Sequence, residues 1–290
     1  MKAVLAGTAG FCFGVKRAVD TVEEILKREN LKPERDRRRI YTYGEIVHND
    51  TVVDRFRQAG VSIIGSKEEL AGIHDAIVII RAHGVGAVIY RMLADNHNEI
   101  IDASCPYVRK IQRLIHDHSK QGESCIIIGN PEHPEIVGIT GWGEGDVRVI
   151  PDAAAAENLP AGDGRKIFAV AQTTYNIDKF KLIVDILKEK GYYVTVVNTI
   201  CKATFERQTE ARELARASDA MIVIGGSNSS NTRKLYEICK AECGNTQLIQ
   251  TVADLHFMRD IAICSVGITA GASTPNEIIE EVLTYVRNEF

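Results

Sequence analysis

Three cysteines frame what this sequence can fold into. Cys12, Cys105 and Cys201 stand 93 and 96 residues apart, and each falls between a strand-like run and a helix-like run: LAGTAGFC before GVKRAV, IIDASC before PYVRKI, VVNTIC before KATFERQ. Two further polar loops recur in each third. His48-Asn49, His133-Pro134-Glu135 and Ser229-Ser230-Asn231 follow their cysteine by 36, 28 and 29 residues; His83, Thr173-Thr174 and Ser273 follow it by 71, 68 and 72. A period of this length is one α/β unit, so the chain reads as three copies of a single supersecondary design.

The hydrophobic pattern agrees. Strand-like runs occur at 4–7, 76–80, 99–103, 125–129, 166–172, 193–198, 220–226 and 262–268. Helical periodicity occurs at 15–28, 85–96, 108–120, 176–190, 205–217 and 275–290. The last helix is expected to open with a capping box at Thr274-Pro275-Asn276-Glu277. Alternation of this kind predicts an α/β fold of three related domains with parallel sheets in pseudo-threefold arrangement. The expected divisions are 13–104, 105–200, and 1–12 with 201–290. In open parallel sheets ligands bind at the carboxyl ends of strands. All nine polar loops are expected at such ends, and pseudo-threefold symmetry would aim them at one centre.

Composition narrows the function classes. The 290 residues are 45% hydrophobic and 26% charged with a net charge of −4, which points away from nucleic acid or an anionic membrane as the main partner. The basic run from Lys32 to Arg39 is broken by Pro33, Glu34 and Asp36 and reads as a solvated loop. No apolar stretch reaches the roughly 20 residues of a membrane span, and no signal-peptide pattern is seen, so a cytoplasmic location is expected. Seven cysteines in a chain of this size then point to metal binding or catalysis rather than disulfides.

A cysteine at a helix N-terminus favours thiolate, the metal-binding form. Three converging thiolates suit zinc with a fourth ligand or water, or an iron–sulfur cluster with one iron left open to substrate. Cys125, Cys239, Cys243 and Cys264 fall within strand or helix periodicity and are expected to be buried small hydrophobes. His48, His83, His133, Ser229, Ser230, Asn231 and Ser273 are donors without permanent charge, suited with helix N-termini to a phosphate or diphosphate. Glu135 is a carboxyl that can carry protons as acid or base, and it also suits a helix start.

These residues fall within segments that resemble the LytB/IspH family of 4-hydroxy-3-methylbut-2-enyl diphosphate reductases: GFCFGVKRA at 10–18, VHN at 47–49, AHGV at 82–85, DASCPYV at 102–108, HPEIVG at 133–138, AQTT at 171–174, TICKATFERQ at 199–208, NSSNT at 228–232 and TAGASTP at 269–275. Ser104 stands where threonine is commoner. The resemblance implies three α/β domains around a central [4Fe–4S] cluster held by Cys12, Cys105 and Cys201, with one open iron site. It implies diphosphate contacts from His48, His83, His133, Ser229, Ser230, Asn231 and Ser273. Glu135 maps to the proton-handling glutamate, and Thr173 to the threonine that orients the substrate hydroxyl. The implied reaction is reductive dehydroxylation to isopentenyl and dimethylallyl diphosphate, the last step of the non-mevalonate pathway. No flavin or nicotinamide site is evident, so electrons are expected from a partner such as ferredoxin or flavodoxin. Two rivals are a quinolinate synthase, which has a similar three-domain plan, and a cluster-bearing sensor or zinc-stabilised binding protein.

Overall fold

The computed structural model describes residues 2–256 and 263–289. In chain order the strands are β1 (Lys2–Leu5), β2 (Ile40–Tyr43), β3 (Val61–Ile64), β4 (Ile77–Ile80), β5 (Glu99–Asp102), β6 (Ser124–Ile128), β7 (Val147–Ile150), β8 (Lys166–Ala171), β9 (Tyr193–Val196), β10 (Ala220–Ile224), β11 (Thr246–Ile249) and β12 (Ser265–Ala270). The helices are α1 (Phe13–Asn30), α2 (Asp50–Gln58), α3 (Lys67–Ala71), α4 (Ala87–Asp95), α5 (Pro106–Lys120), α6 (Pro134–Thr140), α7 (Ala153–Glu157), α8 (Ile177–Glu189), α9 (Lys202–Arg216), α10 (Ser230–Glu242) and α11 (Asn276–Glu289).

Among the described residues the strands form three four-stranded sheets, ordered β3-β2-β4-β5, β7-β6-β8-β9 and β11-β10-β12-β1. Every pairing is parallel. The three orders are one order. The first strand of each set lies between the second and third, and the fourth takes the far edge. In the last sheet that fourth place is filled from the other end of the chain, where Lys2 of β1 pairs with Ser265 of β12. Each sheet therefore reverses its winding between its first and third strands, the kind of position where α/β sheets open a ligand crevice.

Contact density divides the described chain into two units. One comprises 1–16, 48–54 and 201–290, and the other 17–47 and 55–200. The first carries the sheet closed by β1, and the second carries the other two sheets.

The strand period of two builds the cores. Ile126 and Ile128 of β6 face Phe180, Ile183 and Leu187 of α8 on one side. Cys125 and Ile127 face Val108, Ile111 and Ile115 of α5 on the other. In the first unit Ile222 and Ile224 pack on Val282 and Val286 of α11, whereas Met221 and Val223 pack on Ala211 of α9 and Leu235 of α10. Both faces are covered, which is why these strands read as continuous apolar runs.

Several boundaries depart from the expectations. The first strand spans Lys2–Leu5 rather than 4–7, and β12 runs Ser265–Ala270, further along than 262–268, whose first residue lies outside the described ones. Strands β2, β3, β7 and β11 were not among the expected runs. Each has four residues, and β3, β7 and β11 are sheet edges, where half-exposed positions dilute the apolar signal. Helix α11 begins at Asn276, and the Thr274 hydroxyl donates to the Ile224 carbonyl at 3.0 Å. Cys264 is a correction: it is exposed, just ahead of β12, because its strand begins one residue later. Cys125, Cys239 and Cys243 are buried as expected.

Candidate active site

Each cysteine sits where its sheet's fourth strand gives way to a helix. Cys105 is the N-cap of α5, with Pro106 in the first turn, and Cys201 is the N-cap of α9. Cys12 directly precedes α1, and its carbonyl accepts the Lys16 N–H at 2.9 Å. Proline fits the first turn because that N–H has no intrahelical acceptor to lose. None of these helices has an acidic residue in its first turn, which leaves the positive end of the dipole uncompensated by the chain's own carboxylates. The cysteine loops are stitched to their neighbours in the same way: Cys12 N–H donates to the Ala272 carbonyl, and Cys105 N–H to that of Ala82. Ala272 and Ala82 immediately precede Ser273 and His83. All seven cysteines are among the described residues, and none is in a disulfide.

In the second unit a carboxyl group lies at the start of α6. Glu135 is 2% exposed. The Thr173 backbone N–H donates to one of its oxygens and the Thr173 hydroxyl to the other, both at 2.6 Å. Burial pushes the Glu135 carboxyl up to about 7, against the two Thr173 hydrogen bonds that pull it down. His133 caps α6 by accepting the Glu135 N–H at Nδ1, 3.1 Å away. That bond makes Nδ1 an acceptor and places the proton of a neutral ring on Nε2. The His83 ring stands edge-on to the His133 ring, with centroids 5.4 Å apart. Glycines allow this approach. A Cβ on Gly138 would meet the Gly84 carbonyl at 3.1 Å, and one on Gly141 would meet Gly86 Cα at 2.8 Å.

In the first unit the Ser273 hydroxyl donates to the His48 carbonyl at 2.9 Å. Ser229 caps α10 by accepting the Thr232 N–H at 3.3 Å. Ser229, Asn231 and Ser273 are buried, and Asn231 Nδ2 lies buried without a hydrogen-bond acceptor. A buried amide N–H left in this way costs about 1–3 kcal/mol unless something accepts it. Gly225 holds a φ of 146° beside Thr232 and Thr274, where any Cβ would strike both hydroxyls within 2.8 Å.

The profile of the LytB protein family matches residues 3–287. The chain belongs to the LytB family. It is 38% identical over 289 residues to the 4-hydroxy-3-methylbut-2-enyl diphosphate reductase of Alkaliphilus oremlandii, covering 99% of this chain and 100% of that one. It is 39% identical to the same-named protein of Caldanaerobacter subterraneus, covering 99% and 97%. The solved structure of the E-1-hydroxy-2-methyl-but-2-enyl-4-diphosphate reductase from Plasmodium falciparum matches with a TM-score of 0.90 at 30% identity, covering 99% of this chain and 88% of that one. A second solved structure, of (E)-4-hydroxy-3-methyl-but-2-enyl diphosphate reductase, matches at 0.67 and 36% identity over 99% of both chains.

Within this LytB chain the candidate residues fall into two groups. The first unit holds Cys12, Cys201, His48, Ser229, Ser230, Asn231 and Ser273; the second holds Cys105, His83, His133, Glu135 and Thr173. Sequence reasoning missed the residues that brace them. Arg17 donates to the Ser104 and Asp102 carbonyls, just ahead of Cys105. Glu210 accepts the Gly7 and Thr8 N–H groups at 2.7 and 2.9 Å. Burial raises the Cys125 and Cys239 thiols to about 11 and about 12, so these two stay protonated and inert.

Proposed function

We propose that this LytB chain is a 4-hydroxy-3-methylbut-2-enyl diphosphate reductase that converts its substrate to isopentenyl and dimethylallyl diphosphate. One observation carries the proposal: the family match runs from residue 3 to residue 287, and relatives matched along their whole length bear that name. The quinolinate synthase and sensor readings gain no such support.

The reaction breaks a C–O bond and forms a C–H bond, taking two electrons and two protons and releasing water. The donor set fits an iron–sulfur cluster: thiols at the start of three long helices whose first turns lack carboxylates. When bound to Cys12, Cys105 and Cys201 with one iron open, a [4Fe–4S] cluster supplies single electrons and a Lewis-acidic position for the leaving oxygen. The remaining roles belong to this chain's own residues. His48, His83, His133, Ser229, Ser230, Asn231 and Ser273 bind and orient the diphosphate, a contribution that in favourable cases reaches about 7–11 kcal/mol. Asn231 Nδ2 is a ready donor for it. The Thr173 hydroxyl orients the substrate hydroxyl, and Glu135 behind it holds the proton. A carboxyl poised near 7 can both give and regain that proton at neutral pH.

The proposed architecture keeps the three divisions 13–104, 105–200, and 1–12 with 201–290 around that cluster. Electrons come from a separate protein of the ferredoxin or flavodoxin kind, in the cytoplasm. No helix among the described residues is long and apolar enough to cross a membrane.

The test is anaerobic purification or reconstitution, followed by iron and sulfide analysis and turnover of the allylic diphosphate with a chemical reductant. A brown protein whose turnover requires the reductant is expected. A colourless zinc protein, or turnover indifferent to reductant, would rule the proposal out.

A further inference from the structure

One buried cation is not accounted for by the roles above. Arg207 lies in the second turn of α9, six residues after Cys201, and is 3% exposed. Its guanidinium donates to the Ala270 carbonyl at 2.6 Å and to the Gly10 carbonyl at 2.9 Å. Gly10 is two residues before Cys12, and Ala270 is three before Ser273. Neither acceptor is charged, and Nε is buried without a hydrogen-bond partner. The ionisable groups close enough to act on it are Cys12, Cys201 and Glu210. The Glu210 carboxylate is occupied by the Gly7 and Thr8 N–H groups and the Thr8 hydroxyl.

A buried cation with an unused N–H and only uncharged hydrogen-bond acceptors is costly, and it persists where an anion meets it. The two thiol positions lie within its field, and they are where the proposed function puts an anionic centre. Arg17 offers an instructive parallel, since it grips the carbonyls ahead of Cys105 in the same manner. Arg17 is only partly buried, however, so solvent screens its charge more.

We infer that Arg207 is a positioning residue that sets the reduction potential of the cluster. Its fork fixes the Cys12 loop relative to Cys201, and its fixed positive charge stabilises the reduced, more negative state. The inference rests on the proposed cluster. Net charge and hydrogen bonding around the sulfurs are the protein's main levers on such potentials. Glu210, one turn further along α9, opposes this field with its negative charge while its hydrogen bonds hold the other side of the same loop.

The experiment is an EPR-monitored redox titration of anaerobically reconstituted protein. Three variants are compared with wild type: Arg207→Met, Arg207→Lys and Glu210→Gln. Arg207→Met is expected to shift the midpoint potential to more negative values. Arg207→Lys keeps the charge and should recover at least half of that shift. It should also lose its cluster to a chelator severalfold faster than wild type, because the planar fork is gone. Glu210→Gln should shift the potential the opposite way. If Arg207→Met does not retain a cluster, Glu210→Gln decides: a positive shift supports the inference and an unchanged midpoint overturns it. An Arg207→Met midpoint equal to wild type overturns it as well. A wild-type chain that takes up no iron and sulfide would instead overturn the cluster on which the inference rests.

Discussion

Glu135 shows how a single side chain is tuned by two opposed effects. Burial favours its neutral form, and the two Thr173 hydrogen bonds favour the charged one, leaving it near 7 rather than the ordinary 4.5. The folded chain therefore keeps a proton that the unfolded chain releases between about pH 4.5 and 7. That contribution to stability is full below pH 4.5 and lost as pH rises through 7. Glu135→Gln removes the titration. The wild type's unfolding free energy should fall relative to the variant's by on the order of 3 kcal/mol across this window. Parallel urea-melt curves for the two proteins would contradict the assignment. The same variant should retain iron and sulfide yet lose about 10²-fold or more of its turnover. Thr173→Val deletes one of the two bonds that pull the carboxyl down. Its pH–rate profile should move to higher pH, and an unmoved profile would separate Thr173 from the proton path.

At the scale of elements, position comes from close backbone approach. Helix α6 carries Glu135 and is capped by His133, and it meets the loop carrying His83 through Gly84, Gly86, Gly138 and Gly141. Two backbones this near leave no room for a Cβ. Gly141→Ala should destabilise the chain by about 1–3 kcal/mol, since the added methyl group would meet Gly86 Cα at 2.8 Å. It should also part the two histidines and raise the KM for the diphosphate. Chemical denaturation and steady-state kinetics measure the two effects separately. None of these glycines signals its role in the sequence. A glycine needed for contact between elements looks the same as one needed for a turn.

At the scale of the whole molecule, the third sheet is completed by the chain's first strand. β1 pairs with β12 in the place that β5 and β9 occupy in their own sheets. Deleting Lys2–Leu5 should therefore expose the β12 edge and loosen the first unit selectively. Hydrogen exchange should quicken in β10 and β12 while β6 and β8 stay protected. Uniform protection would mean that β1 adds no stability to its sheet. The strand leading into Cys12 thus has its hydrogen-bond partner 263 residues later, at Ser265.

The α/β class and the threefold repeat of strand–helix units were legible in the amino-acid order because each leaves a local mark. Apolar strands covered on both faces form continuous runs, helix starts carry cysteine, proline or serine, and polar loops recur at similar distances after each cysteine. Short edge strands such as VRVI and TQLI leave almost no mark and emerged only when a neighbour supplied their hydrogen bonds. The tertiary structure alone decided which charges are buried. Nothing local separates Arg207 from the other arginines of the chain or tells that Glu135 lies against Thr173, because burial and partner choice depend on residues 38 to 197 positions away. Desolvation, which sets the chemistry of both groups, is a property of the folded surroundings and has no counterpart in the order of residues.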